Sequence, residues 1–101
     1  MEKMSNKSYG LGYERKEKKY WQDRGHYAHR ARGSFGLFDL IVTSQDFWRL
    51  ISVKSTKQDY YSYKKELEEL DGFGIQVPRG TVKMLVLYHK GKRKVLYEKV
   101  I

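Results

Sequence analysis

Two charged residues interrupt apolar runs in which buried strands are expected. Asp39 sits inside Leu37-Phe38-Asp39-Leu40-Ile41-Val42, and Lys54 closes Leu50-Ile51-Ser52-Val53-Lys54. On a strand, residues two apart share a face. Leu37, Asp39, Ile41 and Thr43 therefore form one face of the first run, and Trp48, Leu50, Ser52 and Lys54 one face of the second. If the runs pair, Asp39 approaches Ser52 and Lys54 on one side of the sheet. A carboxylate there holds a divalent metal, which polarises a phosphodiester and lowers the pKa of a bound water. The lysine orients that water or balances charge in the transition state. The plainer alternative is an ion-paired aspartate and a lysine snorkelling from a strand end.

The surrounding chain supplies the elements that position these residues. "GYERKEKKYWQDRG" (12–25) reads as a helix with Tyr13, Glu17, Tyr20, Trp21 and Arg24 on one side and Gly25 as its stop. "HYAHRAR" (26–32) reads as a strand, and "GSFG" (33–36) as a turn. Strands over 37–43 and 48–54 follow, then an amphipathic helix over 59–70 with Tyr60, Tyr63, Leu67 and Leu70 at spacings of three and four. "FGIQVPRG" (73–80) reads as a loop or short edge strand. "TVKMLVLYH" and "KVLYEKVI" form two strands joined at "KGKR". The order α-β-β-β-α-β-β predicts an α/β fold with a central mixed sheet flanked by helices. One domain over 9–101 is expected, after a disordered start at 1–8.

Composition narrows the partners. The 101 residues contain no cysteine, which excludes disulfides and thiolate metal sites. No stretch is apolar enough for a membrane span or a signal peptide, so a cytoplasmic protein without a membrane partner is expected. The net charge of +9 predicts attraction to a polyanion, nucleic acid first. That charge is segregated. Residues 1–33 carry nine Lys/Arg against four acids, 34–78 five against seven, and 79–101 seven against one. Basic ends around an acidic middle suit a protein that grips phosphates and also holds a cation.

In this order and spacing, "E…GSFGLFDLIV…RLISVKS" resembles the PD-(D/E)XK nuclease superfamily, and within it the archaeal-type Holliday-junction resolvases and their small relatives. The resemblance covers about residues 9–58 and extends more loosely over the following helix and strands. It implies a restriction-endonuclease-like fold and an Mg²⁺- or Mn²⁺-dependent endonuclease cutting branched DNA. It also implies a homodimer, because a four-way junction needs two symmetric cuts. By this match Glu14 is the helix glutamate and Ser34 the loop serine, with Asp39 the metal aspartate and Lys54 the catalytic lysine.

One position departs from the pattern. Where the family has a metal-binding glutamate, this chain has Ser52, a poorer and uncharged ligand. The site then works with the hydroxyl or a water in that place, with Glu14, Asp39 and Ser52 around the metal. Alternatively a helix carboxylate, Glu66 or Glu68, has taken over. As a third possibility catalysis is lost, leaving a non-catalytic nucleic-acid-binding relative. A basic RNA-associated structural protein would need neither Asp39 nor Lys54.

Further residues are candidates for DNA contact. Arg30, Arg32 and Ser34 offer guanidinium and hydroxyl donors to a backbone phosphate. Lys90, Lys92 and Arg93 stand at or near the tip of the terminal hairpin, as a phosphate clamp or as charges that blunt a sheet edge. Tyr60, Tyr61 and Tyr63 are core or dimer contacts, or stacking groups for DNA.

Overall fold

A computed structural model describes residues 6–31, 37–73 and 77–101. The element order is the one the sequence implies: α1 (Asn6–Gln22), β1 (Tyr27–Arg30), β2 (Leu40–Thr43), β3 (Trp48–Thr56), α2 (Lys64–Gly72), β4 (Val82–His89) and β5 (Lys92–Val100). The strands form one mixed sheet in sequential order β1-β2-β3-β4-β5, antiparallel except for the parallel β3–β4 pair that α2 connects. No helix among the described residues is long and apolar enough to cross a membrane.

The sheet separates two apolar clusters. Trp21 of α1 packs with Ala28, Leu40, Val42, Ile51, Val53, Val82, Met84, Val86 and Tyr88 on one side. Leu70 of α2 packs with Phe38, Leu50 and Leu85 on the other. With both faces covered, β4 is buried along nearly its whole length, as a central strand under two helices must be.

Element ends follow local chemistry. Gly25 adopts φ +88°, a left-handed conformation that costs glycine little. Gly25 N–H donates to Gln22 O at 3.0 Å and His26 N–H to Trp21 O at 3.1 Å, the paired bonds of a Schellman stop. Lys90 and Gly91 take φ 52° and 84°, so β4 and β5 join through a two-residue turn whose twist matches the strands. The turn is therefore two residues shorter than the four of "KGKR", and β5 begins at Lys92.

Several boundaries moved: β1 is shorter, Tyr27–Arg30, β2 begins at Leu40 rather than at 37, and β3 runs on to Thr56 rather than 54. α1 begins at Asn6, so residues 6–8 of the expected disordered start are helical, while 1–5 lie outside the described residues. α2 begins at Lys64 rather than at 59. Residues 58–61 are drawn off the helix by the end of β4. Lys90 Nζ pairs with Asp59 Oδ1, and a ring nitrogen of His89 bonds Gln58 O at 2.9 Å.

Candidate active site

Asp39 lies where β2 begins. Its N–H donates to Ile51 O at 2.8 Å and its carbonyl accepts from Ala31 N–H at 2.9 Å, so the backbone is held from both sides. Leu40 is also paired with Ile51, so two residues of this strand stand opposite one of β3. The side chains agree: Phe38 and Ile41 pack on the α2 side, Leu40 and Val42 on the α1 side. Uninterrupted alternation would put Phe38 and Ile41 on opposite faces. The segment thus has the geometry of a β-bulge, a device that re-aims a side chain next to a site.

The bulge changes how Asp39 is presented, while the Lys54 charge still acts on its carboxyl. Asp39 is freed from the face of Ile41. Its Oδ2 accepts the Val53 N–H at 2.7 Å, taking the place of a β2 carbonyl where the ladder has ended. Leu50 packs on the α2 side and Ile51 and Val53 on the α1 side, so alternation assigns Ser52 and Lys54 to the α2 side. Ser52 is 2% exposed and stands beside Leu85 of β4.

A second carboxyl comes from α1. Glu14 is close enough to Asp39 for the two to share a hydrogen bond, and its charge acts on Asp39. Burial is the largest influence and pushes the Asp39 carboxyl up to about 6. The Val53 N–H opposes it, the Glu14 charge adds to it, the Lys54 charge opposes it, and the hydrogen bond with Glu14 adds again. Glu14 Oε1 also accepts from Arg30 Nε at 3.2 Å. The site therefore joins Glu14, Asp39, Lys54 and Arg30 from α1, the bulge, β3 and β1. Among the described residues no group of three or more His, Cys, Asp or Glu is placed to hold a metal ion. The oxygen donors are the two carboxyls and the Val53 carbonyl, which shares a strand edge with the Val53 N–H beyond the last β2–β3 pair.

The other candidates divide. Arg30 reaches the site through Glu14 rather than facing solvent as a free phosphate contact. Arg32 and Ser34 lie outside the described residues. Lys92 is exposed at the hairpin, and Lys90 pairs with Asp59. Arg93 turns inward: its Nε and Nη2 donate to Glu17 Oε1 and Oε2 at 2.8 and 2.7 Å, and its guanidinium lies 3.7 Å from the Tyr20 ring centre. Glu66 is half-buried and Glu68 exposed on α2, and neither is among the charges that shift Asp39.

Near the carboxyl ends of parallel strands β3 and β4, a cleft of about 470 Å³ is lined by Tyr13, Lys57, Lys90 and Gly91. Tyr13, which lines the cleft, precedes Glu14 on α1. The crevice outside the carboxyl ends of parallel strands is the usual ligand position in α/β sheets.

Sequence reasoning missed two residues. Glu17 is fully buried (0% exposed) and accepts from Trp21 Nε1 and the Tyr88 hydroxyl, each at 2.8 Å, besides Arg93. Its place on the Tyr13–Trp21 side of α1 was the available signal; its other partners, Tyr88 and Arg93, are 71 and 76 residues away. Lys83 is 2% exposed inside β4, where its Nζ donates to the carbonyls of Leu70, Asp71 (3.2 Å) and Phe73 (2.6 Å). It caps the carboxyl end of α2, whose dipole favours a cation. Burial nonetheless pulls its pKa below that of an ordinary lysine, with Asp71 opposing.

No protein-family model matches the chain, and no curated protein matches it.

Proposed function

We propose that this chain is a metal-dependent DNA endonuclease of the PD-(D/E)XK type, with a restriction-endonuclease-like sheet. It hydrolyses phosphodiester bonds in branched DNA and acts as a homodimer. The observation that carries the reading is the carboxyl pair. Glu14 and Asp39 come from separate elements and meet in a half-buried position, where the Glu14 charge disfavours ionisation of Asp39. A protein of net charge +9 needs no such pair for solubility, and a divalent cation relieves its repulsion.

The donor set suits Mg²⁺ or Mn²⁺. Asp39, Glu14 and the Val53 carbonyl are all oxygen donors, which these ions prefer. When bound, the ion supplies a Lewis acid for the phosphate and a water of lowered pKa. The chain's own residues do the rest. The Val53 N–H fixes one Asp39 oxygen, so the other is aimed. Arg30 fixes and partly neutralises Glu14. Lys54 brings positive charge to the place where negative charge builds on the phosphate. Lys57 and Lys90 line the cleft and suit flanking phosphates. With Asp39 pushed up to about 6, the site is ready for a cation only above that pH.

A second reading rests on Ser52. Its burial on the α2 side leaves two carboxylates where the family pattern has three, which favours a binding-only relative. Incubation with a labelled four-way junction and Mg²⁺ or Mn²⁺ separates the two. Under the proposal the wild type cuts, best with Mn²⁺, while Asp39→Asn binds the junction as tightly or tighter and does not cut. A wild type inert with both metals on junction and flap substrates selects the binding-only reading. Equal cutting by Asp39→Asn removes Asp39 from the site.

A further inference from the structure

Tyr60 is 90% exposed, the most exposed large aromatic among the described residues. It does not sit on a loose loop. Its predecessor Asp59 is paired with Lys90, and its successor Tyr61 lies with its ring centre 5.3 Å from that of His89 and 5.7 Å from that of Tyr63. One residue further back, the Gln58 carbonyl is bonded to His89 at 2.9 Å. Gln58 is tied to the end of β4 through its backbone, and Asp59 and Tyr61 through their side chains, so the Tyr60 ring projects from a held segment. An aromatic presented this way loses little entropy on binding.

Its surroundings are basic. Lys57 and Lys90 line the cleft at the strand ends, and Lys64 and Lys65 open α2 with both side chains exposed. Asp59, the acid within residues 57–65, is paired with Lys90, and Glu66 follows in the first turn of α2. A projecting aromatic among cations matches the stacking platforms on which unpaired bases lie while lysines track the backbone. A paired base inside a duplex presents no free face to such a ring.

We propose that Tyr60, supported by Tyr61, is a stacking ledge for an unpaired nucleotide base, whose neighbouring phosphates lie along Lys57, Lys64 and Lys90. This rests on the nucleic-acid reading above and deepens it. The substrate it implies carries single-stranded or splayed nucleotides beside the cleavage site, rather than uninterrupted duplex.

The test is a fluorescence titration in EDTA, where no cleavage occurs. The probes are a short single strand carrying one fluorescent adenine analogue and a blunt duplex of the same length. The wild type is expected to quench the analogue on binding. Tyr60→Ala should lose about tenfold in affinity for the single strand, and Tyr60→Phe should keep it. Duplex affinity should be the same for all three proteins. An unchanged thermal midpoint checks that the exposed substitution leaves the fold intact. Tyr60→Ala binding the single strand like wild type overturns the ledge, as does an equal loss on duplex and single strand. Wild type that binds neither probe overturns the ledge and the nucleic-acid reading together. Binding without any junction cleavage in Mn²⁺ overturns only the nuclease.

Discussion

Replacing Asp39 by Asn is expected to stabilise the protein at neutral pH, an uncommon outcome for a half-buried position held by backbone on both sides. The carboxamide oxygen keeps the Val53 N–H bond, and the amide can donate to Glu14, which ends the repulsion between the two acids. The magnitude follows from linkage. The Asp39 carboxyl is raised from 3.8 to about 6. Each such unit corresponds to roughly 1.4 kcal/mol, and discounting for partial exposure leaves about 2 kcal/mol. The sign is that of an acid with a raised folded pKa. Its protonated form favours the native state, so that stability is present below about pH 4 and is lost as pH rises through about 6. The variant should therefore match wild type near pH 4 and exceed it by about 2 kcal/mol at pH 7.5 in EDTA, roughly 10 °C in thermal midpoint for a domain this size. Denaturant unfolding across that pH range, with identical buffers for both proteins, measures the difference directly. A variant that is less stable than wild type at pH 7.5, or a difference independent of pH, would refute the argument that burial and Glu14 raise the Asp39 pKa.

Glu17→Gln should cost about 3 kcal/mol, because it leaves the partly buried Arg93 cation uncompensated; a loss under 1 kcal/mol in denaturant unfolding would show that water replaces Glu17 there. Ser52→Glu is expected to bring no gain in Mn²⁺ affinity by calorimetry and to lower stability, since its side chain enters the apolar α2 side; tighter metal binding would mean that Ser52 faces Asp39 after all. DNA affinity should fall steeply with salt, with a log–log slope near −5 for roughly 6 phosphate contacts, and a flat response in filter binding contradicts a phosphate-gripping protein. Sedimentation at micromolar concentration should give a dimer, and a 12.1 kDa species alone, with and without DNA, would speak against paired junction cleavage.

The order of elements was legible because each announces itself locally. α1 has a stripe at Tyr13, Glu17 and Trp21 and a glycine stop, and β4 is an apolar run interrupted by Lys83. Asp39 and Lys54 stood out for the same reason, as charges inside such runs. What the sequence hid was the bulge at Asp39. Strand alternation holds only while every residue has a partner, and the extra residue at Asp39 interrupts it, so that Phe38 and Ile41 pack on one side. Nothing in Leu37-Phe38-Asp39-Leu40 marks that bulge. The start of α2 was misplaced because Tyr60 and Tyr63 have helical spacing, whereas Asp59 and Gln58 are claimed by His89 and Lys90, thirty residues on. Lys83 was unreadable on the same grounds: a lysine in a buried strand makes sense only once the carbonyls at the end of α2 are seen to close over it.

The buried Glu17 has a consequence for the order in which the chain can mature. Its partners Tyr88 and Arg93 lie 71 and 76 residues further along the chain and are therefore made after it. Until Arg93 arrives, seating α1 on the sheet would bury an uncompensated carboxylate, which is strongly unfavourable. α1 is therefore expected to stay undocked on the nascent chain, and Glu14, one turn away on the same helix, cannot meet Asp39. Contacts this distant in sequence also form late in refolding. The two acids thus come together only in a finished molecule. A chain stalled or truncated before β5 would carry both of them in its sequence and have no assembled site.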